Sequence, residues 1–477
     1  MVRGIDLRDQ NTASYDQTKR MKLYSSALTS KKWYEIAKQG TSQDIDGLVK
    51  SQKIRELMKK YKIIIENSVN IAKWLAADAG YNPEDYADID AVMNDGSLVD
   101  ILINSPIYLN IIEQSVTAFN SLKSSNVAVG KYVAMKAGLN STLYADMDAI
   151  IADSSAMDAV ANSSEVRNFI LNTPLAWNKV KASNMAIGKY VAGEAGLDPS
   201  DYVDMDAVAA SETAMNAIFT SKAARTIGWK SPVFRDKMWR NSVAVKELFN
   251  LFINATTYGT QVSTIAVPDS IVNIYNGQAR LVRSNSTGHE WWDYPDFSTQ
   301  IKTLGQQYYE HVADFSPDLD QWIACAYGDS QTQYILNASN LNTVSTFSAN
   351  VSRVLGTKTL LFANENRAGT GIITVPTDPD NYDVFHTFFG DKILNYQIAI
   401  SFSGTLLKRV WVYNVTDGSL VAEHDFTNDN IDVTAIKRYY GPEHYETYYF
   451  PMIGCIYNPP TDEYGFVYSD SEGIWVL

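Results

Sequence analysis

Cysteine is nearly absent, with two in 477 residues, Cys325 and Cys455. Two thiols make neither a zinc motif nor a disulfide framework, and nothing in the sequence requires a bridge between them. Histidine is also scarce, and one-sided. All five lie late in the chain, at His289, His311, His386, His424 and His444, and no two stand four apart as helical metal ligands do. No apolar run approaches the ~18 residues of a membrane span. The opening "MVRGIDLRDQNTASYDQ" holds no apolar signal-peptide core, so synthesis in the cytosol is expected. Basic charge is also short: 40 Lys and Arg stand against 54 Asp and Glu, a net charge of −14. Such a chain is poorly suited to neutralising phosphates, and nucleic acid is not an expected partner. The lysines of "VKSQKIRELMKKYK", Val49 to Lys62, read as a solvated helix face. There is no Gly-x-Ser-x-Gly elbow, Walker loop or dinucleotide fingerprint. No catalytic residue, cofactor or metal ligand is assigned.

What the chain does have is repetition. "GYNPEDYADIDAV" from Gly80 returns as "GLNSTLYADMDAI" from Gly138 and "GLDPSDYVDMDAV" from Gly196, at intervals of 58 residues. The units run over 66–123, 124–181 and 182–239. Lys73, Lys131 and Lys189 correspond, as do Tyr86, Tyr144 and Tyr202, and Asp90, Asp148 and Asp206. Each unit opens with an amphipathic helix, in the second copy Val129, Tyr132, Val133 and Ala137, closed by a glycine that tolerates positive φ.

A ten-residue period is nested in the remainder. Asp95, Ser105 and Ser115, then Asp153, Ser163 and Thr173, then Ser211, Ser221 and Ser231 are spaced as helix N-caps. Pro106, Pro174 and Pro232 sit at first helical positions. The residues three and seven after each cap form an apolar stripe, from Leu98 and Leu102 to Phe234 and Met238, broken at Gly228. Two-turn helices are unstable alone. They must therefore stack into an array with one continuous core. The pairs Asp88/Asp90, Asp146/Asp148 and Asp204/Asp206 lack the further ligands of a calcium loop and read as caps.

From about residue 240 Tyr, Val, Ile, Thr and Asn replace the Ala/Met decamers, in paired strand-like runs such as "IVNIYNGQARLVRS" and "IAISFSGTLLKRVWVYNV". "IACAY" at Ile323 echoes "IGCIY" at Ile453. The expected fold is multidomain, α then β. It comprises an N-terminal helical docking segment over 1–65, three helical repeats over 66–239, and an all-β domain over 240–477 that is propeller-like or a sandwich. Two aromatic-polar clusters in that domain are candidate binding residues. One contains Trp291 and Trp292, the other Arg438, Tyr439, Tyr440, His444, Tyr445 and Tyr448. Flat rings beside hydrogen-bonding groups suit sugars or a protein interface, and they equally suit packing between strands.

Ser469, Asp470, Gly473 and Trp475 loosely resemble the Asp-box turn of sialidase-type propellers, with Asp470 directly after Ser469 and the Gly-to-Trp gap one residue short. The phrases "SSAMDAVANS" from Ser154 and "SETAMNAIFTS" from Ser211 resemble the Ser/Ala/Met helical repeats of tailed-bacteriophage virion proteins, of the tail-fibre, collar and appendage type. The second resemblance implies a non-enzymatic structural protein of the virion, anchored by its N-terminal part. Its β domain would meet a host cell-surface glycan or other virion proteins, as a homo-oligomer. The alternatives are a glycan hydrolase or depolymerase with its site in the β domain, and a cellular adhesin.

Overall fold

The computed structural model describes residues 52–60, 65–263, 419–433, 477 and the strands named below. These residues fall into two compact units. The first runs to Glu194 and includes Asp198–Asp204; the second holds Ala195–Leu197 and the described residues from Met205 onward.

The first unit is helical. Helix α1 (Gln52–Lys60) precedes the repeats. The first repeat is α2 (Ser68–Asp78), a 3-10 turn (Pro83–Asp85), α3 (Ile89–Asn94), α4 (Gly96–Ile103), α5 (Pro106–Gln114) and α6 (Val116–Ser124). The second follows the same order: α7 (Asn126–Lys136), Ser141–Leu143, α8 (Met147–Ala152), α9 (Ser154–Asn162), α10 (Ser164–Leu171) and α11 (Pro174–Ala182). The third opens with α12 (Asn184–Glu194) and the turn Pro199–Asp201. Opening helices end on glycines at positive φ, +90° at Gly80, +76° at Gly138 and +78° at Gly196. There the amides of Tyr81 and Leu139 reach back to the carbonyls of Ala76 and Ala134, each 2.8 Å away.

All nine expected cap residues precede a helix, and seven bond its free amides. The exceptions are Ser105 and Thr173. Both are followed by proline, whose missing N–H lightens the demand at that end, although Ser231, also followed by proline, does bond the Phe234 amide. The stripe is buried throughout, Leu98, Leu102, Val160, Ile170, Ile218 and Met238 among its members. Repeats stack through these faces: α7 lies on α4, and α12 on α9.

The second unit holds α13 (Met205–Ala209), α14 (Glu212–Thr220), α15 (Lys222–Trp229), α16 (Pro232–Arg240), α17 (Ser242–Ile253) and α18 (Ala255–Tyr258). Ser242 lies 58 residues after Asn184, so α17 takes the place of a fourth opening helix, and it packs on α14 as α12 packs on α9.

The strands follow. An eight-stranded sheet has the order β1-β20-β19-β18-β12-β13-β14-β15. Its members are β1 (Thr260–Ser263), β12 (Asp383–Phe389), β13 (Lys392–Ser401), β14 (Gly404–Asn414), β15 (Leu420–Asp425), β18 (Ile453–Asn458), β19 (Glu463–Ser469) and β20 (Ile474–Val476). Neighbours are antiparallel except β12 and β18, paired in parallel at Phe389 and Cys455. Two separate four-stranded antiparallel sheets follow chain order. One is β2 (Asp269–Tyr275), β3 (Gln278–Asn285), β4 (Gly288–Asp293) and β5 (Gln300–Gly305). The other is β6 (His311–Ser316), β7 (Gln321–Cys325), β8 (Thr332–Asn337) and β9 (Thr343–Ser348). Two ribbons complete the set, β10 (Arg353–Leu355) with β11 (Thr359–Leu361), and β16 (Arg438–Tyr440) with β17 (Thr447–Tyr449).

This corrects the expected propeller or sandwich. The large sheet is open, with β1 and β15 at its edges, and it neither closes on itself nor curls over a second sheet. The physical reason is what covers it. The Trp229 ring stands edge-on to Phe466 of β19, centroids 4.7 Å apart, and Phe249 meets Tyr396 of β13 at 5.5 Å. Aromatic faces of α15 and α17 bury apolar sheet surface that a sandwich would bury against more strands. Of the paired runs expected from Ile271, Trp322, Thr359, Ile398 and Met452, four form hairpins, β2–β3, β7–β8, β13–β14 and β18–β19. The run from Thr359 gives β11, which pairs with β10, and its remainder lies outside the described residues.

Candidate functional site

The repeated acidic pairs each place two carboxylates within three residues, at Asp88/Asp90, Asp146/Asp148 and Asp204/Asp206. Asp88 accepts from the Ala91 amide and Asp146 from the Ala149 amide, each at 3.0 Å, as helix caps. The second aspartate of each pair reaches a residue 31 positions later. Asp90 takes the Ser121 hydroxyl, Asp148 the Lys179 ammonium at 2.6 Å, and Asp206 the Lys237 ammonium at 2.8 Å. Amides, a hydroxyl and ammonium groups thus occupy the oxygens a cation would need. Among the described residues no three His, Cys, Asp or Glu side chains gather as a metal site.

A second tie joins consecutive repeats. Lys131 Nζ lies 2.6 Å from Asp100 and 3.3 Å from the Ser141 carbonyl oxygen. Lys189 Nζ lies 2.5 Å from Asp158 and 3.3 Å from the Pro199 carbonyl oxygen. Both lysines are buried, at 4% and 1% exposure, where an unpaired ammonium would be costly. Each therefore fastens the segment 31 residues earlier and the turn ten residues later. At α17 the pair is rewritten as Asn216 donating to buried Glu247 at 3.3 Å. The lysine correspondence is visible in the sequence. Its partner is missed because a spacing of 31 matches neither the helical nor the repeat period; testing each repeated charge for an opposite charge at a constant offset finds it.

The aromatic clusters stand on different sheets. Trp291 and Trp292 lie on β4, opposite Val282 and Leu281 of β3, where the pairing with β5 shifts register. Arg438, Tyr439 and Tyr440 form β16, and Tyr448 lies on β17 as the register partner of Tyr439. His444 and Tyr445 lie outside the described residues. The structure thus brings Arg438, Tyr439, Tyr440 and Tyr448 onto one ribbon and leaves the tryptophan pair on another sheet.

The histidines are similarly dispersed. His289 is on β4, His311 on β6, His386 on β12 and His424 on β15, while His444 lies outside the described residues. His424 is buried, with Nε2 2.8 Å from the Trp239 carbonyl oxygen near the end of α16. A carbonyl only accepts, so Nε2 carries the proton. Burial holds the imidazole below its usual pKa, against the opposing pull of that carbonyl and Glu423. His424 therefore ties β15 to α16 as a neutral donor.

No protein-family model matches the chain, and no curated protein matches it. The likeness to phage appendage proteins accordingly rests on the composition of the repeats alone, and the propeller description falls with the open sheet.

Proposed function

We propose that the chain is a non-enzymatic structural protein, a virion appendage component of the kind its repeats resemble. In this reading the helical repeats form a spacer and assembly module, and the strand-rich part presents a recognition surface. The observation that supports the reading is the use of the repeated polar residues. Cap aspartates, cross-tying aspartates and buried lysines hold helix to helix in the same way in successive copies. Residues kept in register for such ties serve rigidity and spacing. Recognition falls to the ribbon of β16 and β17, whose register pairs Tyr439 with Tyr448 and Arg438 with Tyr449. Its partner is a host-surface glycan or another virion protein.

The test has two parts. Mass spectrometry of purified particles should find the chain, and incubation with host polysaccharide should release no sugar. Released sugar would replace this reading with the glycan hydrolase. Tyr440→Ala and Tyr445→Ala should weaken attachment by more than 2 kcal/mol, about thirtyfold, while leaving the melting temperature in place. If both variants attach like the parent, the tyrosines are packing residues.

A further inference from the structure

The opening helices of the first unit end on an ionisable residue at one repeated position, and its sign alternates: Asp78, Lys136, Glu194. Each meets the opposite charge from the segment before it. Asp78 lies 3.1 Å from Arg55 Nε and 2.9 Å from Lys59 Nζ of α1. Lys136 lies 3.1 Å from Glu113 of α5, and equally 3.1 Å from Glu165 of α10. Glu194 lies 2.7 Å from Arg167 Nε of α10. Arg55 and Glu113 are themselves 58 residues apart, so one place in the repeat is positive ahead of the first copy and negative ahead of the second.

Some of the docking chemistry also differs between copies: Asp90 takes the Ser121 hydroxyl where Asp148 takes the Lys179 ammonium, and Tyr132 meets Phe119 and Phe169 where Tyr190 meets Trp177. The buried lysine tie between the first and second and between the second and third copies does not distinguish them. Asp100 with Lys131 and Asp158 with Lys189 are the same pair. The capped helices and buried stripes also recur at the same spacing. An α12 docked on α4 instead of α9 would keep these features, with Lys189 meeting Asp100 in place of Asp158. We propose that the alternating charges are a register code, which restricts each opening helix to the segment that directly precedes it. The code acts against wrong docking within the chain and against exchange of repeats with a second copy. Displaced by one repeat, Lys136 would face Arg55 and Lys59, or Glu194 would face Glu113. Asp78 is 5% exposed, Lys136 23% and Glu194 22%, so solvent screens these charges only in part. A displacement by two repeats restores the signs but leaves two whole repeats without a packing partner. The device is repulsion against the wrong alternative rather than added attraction for the right one.

The test equalises the code in the full-length chain. Glu113→Arg with Lys136→Glu and Glu165→Ala keeps an ion pair between the first two repeats but gives it the sign order of the next one. A second variant adds Arg167→Glu and Glu194→Lys, which restores opposite orders at those two places. Each protein is unfolded in urea, refolded by dilution, and compared by size-exclusion chromatography with light scattering against its own sample before unfolding. The parent should return its starting species. The equalised variant should recover at least twofold less of it, with the remainder in larger assemblies, and the five-substitution variant should recover more than the equalised one. Refolding of the equalised variant at the parent's yield overturns the proposal. So does a further loss in the five-substitution variant, because plain destabilisation would accumulate. If the equalised variant never folds, the same comparison decides: folding of the five-substitution variant supports the code, and failure of both overturns it.

Discussion

Thr173 and Ser221 hold the same place in the ten-residue period, yet they do different things. Ser221 Oγ accepts from the Ala224 amide at 3.3 Å. Thr173 Oγ1 is buried, and among the described residues it has no hydrogen-bond partner. Ser221→Ala should therefore lower the unfolding free energy by about 0.5–2 kcal/mol in urea titrations. Thr173→Val, which removes only an unsatisfied hydroxyl, should leave stability unchanged or raise it by about 1 kcal/mol. Equal losses would refute the distinction. The cap positions are legible in the sequence because capping is a local choice of residue type. Which caps bond is not legible, since that depends on how proline and the neighbouring helix set the entry angle. Glu66 accepts from the amides of Val116 and Thr117 at 3.2 and 3.0 Å. Burial works to raise its pKa, but those amides prevail and the net shift is downward. His424 is also lowered, by burial. A lowered folded-state pKa means that protonation favours the unfolded chain. The His424 contribution is thus complete above its unfolded pKa of about 6.5 and is lost as pH falls from there toward the folded value. The Glu66 contribution is complete above about 4.3 and is lost below it. Melting temperature should fall in two stages between pH 7.5 and 3. His424→Gln should flatten the upper stage, and Glu66→Gln should reduce the lower one in part, since Asp95, Asp148, Asp198 and Asp425 are lowered as well; an unaltered slope in both variants would refute the assignment.

At the scale of elements, close approach decides what a helix tolerates. A Cβ built on Gly130 of α7 would sit 2.1 Å from the Asp146 carbonyl carbon and 2.3 Å from the Met147 amide nitrogen, where α8 begins. Backbone at a capped helix start cannot retreat without losing the cap. Gly130→Ala should cost at least the upper part of the about 1–3 kcal/mol usual for overpacking. Gly138→Ala meets nothing within 4 Å but must hold φ at +76°, which costs about 1–2 kcal/mol. Thermal unfolding of the two variants should place Gly130→Ala clearly lower. Helices of this kind are readable from sequence because each start, stop and stripe repeats at fixed spacing. Hairpins are readable for the same reason, as β2–β3 and β18–β19 show. Closure of a sheet is not. The parallel pairing of Phe389 with Cys455 joins strands from distant parts of the chain, and no local pattern announces it.

For the whole molecule, the open question is where one folding unit ends. Composition changes near residue 240, whereas the compact units divide at residues 195–205. The difference lies in who buries Phe466. Its ring is met by Trp229 at 4.7 Å, by Phe252 at 6.4 Å and by the Arg225 guanidinium at 5.3 Å. Trp239, itself buried, stands edge-on to Trp229 at 5.8 Å and offers its carbonyl to His424. A fragment beginning at residue 240 would lose Trp229, Trp239 and Arg225 together. Removing a buried Phe or Trp side chain alone costs about 3–5 kcal/mol, a large share of the about 5–15 kcal/mol that holds a domain folded. A fragment of residues 205–477 should therefore be soluble and melt cooperatively. A fragment of 240–477 should aggregate or melt without a cooperative transition, its sheet face uncovered. Size-exclusion chromatography and thermal melts followed by circular dichroism compare the two directly. If 240–477 melts as sharply and at the same temperature as 205–477, the helices of α13 to α16 are a spacer laid beside the sheet, and its core lies elsewhere.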